Sequence, residues 1–389
     1  MRILVDVRHL TQLNPAGVGG YTQHLLRALF AIDQKNEYVL FSTGNRVPTF
    51  AKEWTQQTHP RVSTLHLSIP NKLVNLRSFF LKHPTINWRS KEPIDLIFLP
   101  NLNITTLPED IPTVLTIHDL SWISHPEFYS KKMQLWHKAT RPQELVAKSK
   151  KIIVPSSCTQ QDLERHFQTA AGKTHVIAHG VAPQFSSRMQ SSDHGIRSRL
   201  KLPKRFVLFV GTIEPRKNLL ALIEGIKQYR ESTHDDLHLV IVGSWGWRSH
   251  ALHRRLWRKD VSEWIHHKGY LQSQELPAVY RCAVSTVFPS IYEGFGLPIL
   301  ESFASGIPVI TSHTSSLPEV GANACLYIDP YNSRDITEAL RGLLGSSTLQ
   351  KQLAERGLDR AKQFSWERTA LETLKVFNNI GPSSDPHHF

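Results

Sequence analysis

Short apolar runs alternate with helical patterns along almost the whole chain, and that alternation limits the folds open to it. In the first half, strand-like runs fall at Ile3–Val7, Tyr38–Phe41, Leu65–Leu67, Leu96–Leu99, Val114–Ile117 and Lys151–Val154. Helical patterns lie between them, clearest at Tyr21–Ile32 and Thr159–Phe167. A second series gives strands at Phe206–Val210, Leu237–Val242, Trp264–His267, Val284–Phe288, Val309–Thr311 and Cys325–Ile328. Its helices are expected at Leu219–Tyr229, Ser249–Lys259, Leu276–Cys282, Pro298–Ser305, Asp335–Leu344 and Leu349–Gln363. Such a pattern predicts an α/β fold of doubly wound parallel sheets. Ala182 to Pro203, rich in Ser, Gln and basic residues, reads as a connection with a short helix. The 389 residues therefore divide into two domains, 1–185 and 204–365. Ligands of such sheets bind beyond the carboxyl ends of the strands, and two facing domains would enclose one deep cleft. The tail from Gly381 to Phe389, rich in Pro, Ser and His, is expected to fray.

The densest chemistry lies in Glu293-Gly-Phe-Gly-Leu-Pro-Ile-Leu-Glu301, which follows the apolar run ending at Pro289. Pro298 suits the first turn of a helix, where its missing N–H costs nothing. Strand, glycine turn and helix start together aim free N–H groups and a positive dipole end at a ligand, preferably a phosphate. Glu293 faces that ligand from before the glycines, and Glu301 reaches back from about one turn into the helix.

Other turns add to this one. Gly211-Thr-Ile-Glu-Pro-Arg-Lys-Asn218 runs from a buried strand into a helix. Arg216 and Lys217 stand there at the end where cations are disfavoured, which a bound anion would explain and a solvent-facing pair would not. Asn14-Pro-Ala-Gly-Val-Gly-Gly20 leads into the helix at Tyr21, so that Gly19 and Gly20 let backbone approach a ligand or simply form a tight turn. Val242-Gly-Ser-Trp-Gly-Trp247 is a further glycine turn, and Gly269-Tyr-Leu271 offers Tyr270 and Leu271 as an edge for a base, or as a plain loop. His118-Asp119 follows Val114–Ile117 at the ligand end of the first sheet, which places His118 as a general base, a polar orienter or a second layer of support. No Asp-x-Asp occurs, so the usual carboxylate pair for a metal-bound nucleotide sugar is missing and no metal is expected. Nothing points to a cofactor.

Charge narrows the partners. The chain carries a net charge of +13 and a pI near 9.7, which favours an anionic partner. Between Asn71 and Lys91 the basic residues Lys72, Arg77, Lys82, Arg89 and Lys91 are interleaved with Leu73, Val74, Leu76, Phe79, Phe80, Leu81 and Trp88, without an acid. That mixture fits a membrane-surface element as well as a helix packing its apolar face inward. A second basic stretch, Arg248 to Lys259, surrounds Trp257. Neither stretch has the spacing of a nucleic-acid module, so no nucleic acid is expected. The charged first ten residues are not a signal peptide, and no apolar run nears the ~20 residues of a membrane span. Cys158, Cys282 and Cys325 are scattered and odd in number, which suggests a reducing, cytoplasmic setting.

Four of these features together resemble the GT-B fold family of retaining, nucleotide-sugar-dependent glycosyltransferases, family GT4. They are the Glu293…Glu301 pair around Gly-Phe-Gly-Leu-Pro, the Glu-Pro-Arg-Lys-Asn stretch, the Gly-Val-Gly-Gly turn and His118-Asp119. A softer likeness is to bacterial mannosyltransferases of cell-surface polysaccharide assembly. The resemblance implies an acceptor-side first domain, onto which a last helix at about 366–379 packs back, and a donor-binding second domain. It implies that Glu301 bonds the nucleotide ribose and that Glu293 orients the donor sugar. Backbone groups of Gly294, Phe295, Gly296 and Leu297 would meet sugar and diphosphate. Lys217 resembles the diphosphate-binding lysine, Gly19 and Gly20 the turn near the diphosphate, and His118 the histidine beside the reacting carbon. Many relatives carry a further arginine roughly where Thr212 stands, and Arg216 is the residue that would substitute.

The implied donor is GDP-mannose or a UDP-sugar, and the implied acceptor a glycan or lipid-diphosphate-linked glycan at the inner membrane face. Retention would follow from same-face attack, because no nucleophile declares itself beneath the sugar. A sugar-nucleotide epimerase, a phosphorylase or an idle sugar-nucleotide-binding protein on the same frame are the alternatives.

Overall fold

A computed structural model describes residues 1–11, 17–58, 61–81 and 85–380. The chain splits into two compact units, one of Met1–Leu120, Lys131–Gly180 and Trp366–Phe389, the other of Ser121–Ser130 and Val181–Ser365.

The first unit is built on a seven-stranded sheet of β1 (Arg2–Asp6), β2 (Glu37–Thr43), β3 (Val62–Leu67), β4 (Leu96–Leu99), β5 (Thr113–Thr116), β6 (Lys151–Val154) and β7 (Thr174–Val176). Their order is β3-β2-β1-β4-β5-β6-β7, and every pairing is parallel. β4 and β5 are buried along their whole length, as sheets covered on both faces require. The helix Trp366–Asn378 packs on the helix Val18–Ile32, where the Trp366 indole stacks on His24 at 5.3 Å.

The second unit holds six parallel strands, β8 (Phe206–Val210), β9 (His238–Val242), β10 (Ile265–His267), β11 (Ser285–Phe288), β12 (Val309–Ser312) and β13 (Cys325–Ile328). They lie in the order β10-β9-β8-β11-β12-β13. Phe206, Leu208, Val210, Val240, Val242 and Tyr280 form part of its core. In each sheet the order of strands reverses once, between β1 and β4 and between β8 and β11. Those are the switch points where crossing connections leave room for ligands.

Both sheets are doubly wound and parallel, as the alternation predicts, and β4, β6, β8 and β13 fall on the expected residues. Several elements differ. β7, with only three residues at the sheet edge, carries no apolar run that would announce it. The basic stretch expected as one helix over Ser249–Lys259 is two, His250–Leu256 and Lys259–Ser262, because Arg258 turns to an extended ψ of 138° between them. The helix expected to begin at Tyr21 starts at Val18, so Gly19 and Gly20 lie in its first turn. Asn14, Pro15 and Ala16 of that motif, Lys82 and the tail from Gly381 lie outside the described residues. Cys282 and Cys325 are free thiols.

Candidate active site

At the second switch point, the turn after β8 meets the turn after β11. Pro215–Lys217 is a single 3-10 turn, and Asn218, in the left-handed region at φ 58°, redirects the chain into the helix Leu219–Thr233. This brings Lys217 and Glu293 together below the surface, 8% and 7% exposed. Lys217 Nζ donates to Glu293 Oε1. Arg216 Nη1 donates to Glu293 Oε2 at 2.7 Å and to the carbonyl of Tyr292 at 3.0 Å, while its Nε lies 2.5 Å from Glu214 Oε1. A backbone bond from Ile291 N to Arg216 O at 2.8 Å ties the two turns again. The cations that the sequence leaves exposed at a helix start thus find their anion within the protein.

The electrostatics follow from that geometry. Burial works against charge on Glu293, but Arg216 and Lys217 outweigh it and hold the carboxyl down at about 2. Burial and the neighbouring Arg216 lower Lys217, against the pull of Glu293 and Glu214. Lys217 Nζ also stands 5.0 Å over the Phe288 ring, which shields one side of it.

Hydroxyls from the turn after β12 shape the glycine turn. Ser315 Oγ accepts from Glu293 N at 2.9 Å. The buried Ser316 hydroxyl points at two carbonyls, those of Glu293 at 2.9 Å and Phe295 at 2.7 Å. Thr314 Oγ1 donates to Ile291 O at 2.9 Å. Gly296, at φ 129°, takes a conformation that a side chain would resist and caps the helix Leu297–Ala304. Pro298 carries no N–H and Ile299 N closes on Gly296 O at 3.0 Å, so Gly294 to Leu297 form the approach to the positive end of this helix. Glu301, in the second turn of this helix, accepts from Tyr280 Oη at 2.7 Å. Burial pushes the Glu301 carboxyl up to about 7, with Tyr280 pulling the other way.

The remaining turns serve differently. Gly243, after β9, sits so close to the turn after β8 that a Cβ would meet Gly211 O at 2.0 Å, so this glycine is required by packing. Trp247 then donates from Nε1 to Phe128 O at 2.8 Å. Gly269 O accepts from Gly243 N at 2.7 Å. Beyond it Tyr270 is exposed, whereas the side chain of Leu271 is buried in the core, so only the backbone of Leu271 can line an edge.

In the first unit, Gly17 at φ 58° caps the helix that carries Gly19 and Gly20, and Tyr21 N closes on Gly17 O at 2.9 Å. His118 lies after β5. Its Nε2 is 2.9 Å from the carbonyl of Pro100, which can only accept, so Nε2 carries the proton and Nδ1 is the acceptor. Burial lowers its pKa and keeps the ring neutral. Tyr21 holds the imidazole edge-on at 4.7 Å, with His179 at 5.7 Å.

The structure therefore joins Arg216, Lys217 and Glu293 directly, sets Gly294–Leu297 and Glu301 on the adjoining turn and helix, and shows Gly19, Gly20 and His118 within the first unit. Glu214, Tyr280, Ser315 and Ser316 are additions. Only Glu214 carried a sequence signal, as an acid two residues before Arg216. Among the described residues, no three His, Cys, Asp or Glu side chains are grouped as a metal site.

Two doubly wound units with a lysine–carboxylate site at a switch point define an α/β ligand-binding enzyme frame, and comparison gives it a family. The family model "Glycosyl transferases group 1" matches residues 194–360, and "Glycosyltransferase Family 4" matches residues 15–185. The chain belongs to these glycosyltransferases. It is 28% identical to O-antigen chain mannosyltransferase B of Escherichia coli over 368 residues, covering 93% of this chain and 95% of that one. Serotype-specific mannosyltransferase WbdA of Escherichia coli is 25% identical over 299 residues, 71% of this chain but 35% of the longer relative. Among solved structures, sucrose-phosphate synthase from Thermosynechococcus elongatus matches with a TM-score of 0.76 at 20% identity, covering 98% of this chain and 99% of that one. WaaG, a glycosyltransferase involved in lipopolysaccharide biosynthesis, matches with a TM-score of 0.70 at 16% identity, covering 98% and 100%. The fold is GT-B.

Proposed function

We propose that this protein is a retaining, metal-independent hexosyltransferase that moves mannose from GDP-mannose to a glycan or lipid-diphosphate-linked glycan during cell-surface polysaccharide synthesis. The observation that carries the site is Lys217 and Arg216 meeting on Glu293 where β8 and β11 part. The mannosyltransferase relatives support the sugar. A UDP-sugar is the alternative donor.

The chemistry turns on charge. As the C1–oxygen bond to phosphate breaks, negative charge grows on the departing nucleoside diphosphate. Lys217 and the positive helix end behind Gly294 to Leu297 meet it, and one such aimed donor is worth about 3 kcal/mol in the transition state. Arg216, committed to Glu214, Glu293 and Tyr292, holds the two turns in register. Glu293 keeps its charge and orients sugar hydroxyls, and Glu301 accepts from the ribose. His118, neutral with Nδ1 as acceptor, takes a hydrogen bond from a sugar hydroxyl. The acceptor oxygen attacks C1 on the face the diphosphate leaves, and its proton passes to the departing phosphate oxygen, so configuration is kept.

Contact with an anionic inner membrane face is part of the reading. On the helix Asn71–Leu81 only Val74 and Ser78 are buried, while Leu73, Leu76, Phe80 and Leu81 are exposed beside Lys72 and Arg77. The inward-facing alternative is thus disfavoured. Arg89 stacks over the half-exposed Trp88 at 4.6 Å. The helix Lys131–Ala139, with no buried residue, adds Leu135 and Trp136 beside Lys131, Lys132 and Lys138. Arg141 bridges the two regions over the Phe79 ring at 4.9 Å. Apolar side chains among cations fit an anionic bilayer surface.

A thermal-shift panel of GDP-, UDP-, ADP- and TDP-sugars tests the donor, since a ligand of the folded state raises its melting point. GDP-mannose is expected to give the largest rise. A larger rise from a UDP-sugar would replace the donor, and no rise from any would overturn the reading.

A further inference from the structure

We propose that Tyr280 is a positioning residue for donor binding: its buried hydroxyl fixes Glu301 Oε2 and keeps the carboxylate ready to accept hydroxyls of the nucleotide ribose. The proposal rests on the ribose reading of Glu301.

Three observations place Tyr280 in that role. It sits on the helix Leu276–Cys282 and is fully buried, so its hydroxyl needs a partner inside the protein. The partner is Glu301 Oε2 at 2.7 Å, a short, charge-assisted contact in which the phenol donates. The ring itself cannot swing: Phe185 meets it edge-on at 5.6 Å, and Val210, Val242, Leu271 and Val279 share its core cluster. A fixed donor on Oε2 leaves the other carboxylate oxygen to accept from the ligand.

The surroundings give Tyr280 a second effect. Arg281, the next residue, is committed to Asp193 at 2.6 and 2.7 Å. Lys217 and Arg216 are held on Glu293. On the helix Ser347–Ala361, packed against Leu297–Ala304, Arg360 turns to the carbonyls of Glu319 and Val320, and Arg356 to that of Asn323. Glu301 is therefore governed by burial, which raises its pKa, and by Tyr280, which lowers it. Burial and Glu301 raise the phenol far above its ordinary value, so Tyr280 stays a donor throughout any practical pH range. Removing its hydroxyl drives Glu301 further up, to a form that is protonated near neutrality and accepts poorly.

The test compares wild type, Tyr280→Phe and Glu301→Gln in donor KM, kcat and binding of GDP, UDP and their 2′-deoxy counterparts from about pH 6 to 9. Tyr280→Phe is expected to raise donor KM on the order of tenfold near neutral pH and to leave kcat within about twofold. Its KM should recover as pH rises, with the acid limb shifted upward from that of wild type. The effect should be confined to ribonucleotides. A folded Tyr280→Phe protein with the wild-type KM and pH profile overturns the positioning role while leaving the ribose reading intact. If Glu301→Gln still discriminates ribose from deoxyribose as wild type does, the ribose reading itself fails.

Discussion

Arg216 Nη1 donates to Glu293 Oε2 across 2.7 Å, joining the turn after β8 to the turn after β11. With Lys217 on the other carboxylate oxygen, Glu293 is the counter-ion of both cations, and in the proposed site it also orients the sugar. A single carboxylate thus links the two turns of the proposed donor site, and its loss is expected to affect stability as well as rate.

The stability consequence depends on pH. Although burial opposes charge, Arg216 and Lys217 hold the Glu293 carboxyl at about 2, against its ordinary value of 4.5. A depressed carboxylate stabilises the fold above its unfolded pKa, and that share is lost as pH falls from about 4.5 toward 2. The difference corresponds to roughly 3 kcal/mol. Glu293→Gln should melt well below wild type at pH 6, and the gap should narrow toward pH 3. Parallel melting curves at both pH values would contradict the pairing.

Ser316 offers a test of the glycine turn. Its hydroxyl serves the carbonyls of Glu293 and Phe295, so Ser316→Ala leaves buried acceptors without it. A loss of about 1–2 kcal/mol in stability is expected, together with weaker donor binding. Calorimetry and donor titration of the purified variant measure both, and unchanged donor affinity would detach Ser316 from the site.

How legible was this site in the sequence? The apolar runs of β8 and β13 are unbroken and bounded by turn residues, so they could be read to the residue. The glycines and acids of 293–301 announced a helix-end site for the same reason, since their meaning is local. Tyr280 and Ser316 could not be read that way. Their partners stand 21 and 21 residues away, at Glu301 and Phe295, and only the folded sheet brings them together. Arg216 and Lys217 lay between these cases. Their misplaced charge was visible, but the anion that holds them is 77 and 76 residues downstream.

The tautomer of His118 is fixed by Pro100, so its ring nitrogens should be distinguishable. Nitrogen NMR of histidine-labelled protein should show Nε2 protonated and Nδ1 bare at neutral pH, with no titration near the ordinary value of 6.5 because burial lowers its pKa. A protonated Nδ1 would remove it as a hydrogen-bond acceptor for the sugar.

Membrane contact is checked with anionic vesicles. Replacing Lys72, Arg77 and Lys82 with Gln should weaken co-sedimentation, and Leu76→Ser with Phe80→Ser should weaken it further by removing apolar insertion. Vesicle binding unchanged in both sets would sink the surface assignment.

The central claim is that Lys217 and Glu293 form the donor site of a retaining sugar transfer. The most direct measurement is product formation from GDP-mannose and UDP-sugars on a glycan acceptor by wild type, Lys217→Ala and Glu293→Ala, with the new linkage assigned by NMR. Wild type should transfer with the donor's anomeric configuration kept, and both folded variants should fall on the order of 100-fold or more. Near-normal transfer by both folded variants, or an inverted linkage from wild type, would contradict the account.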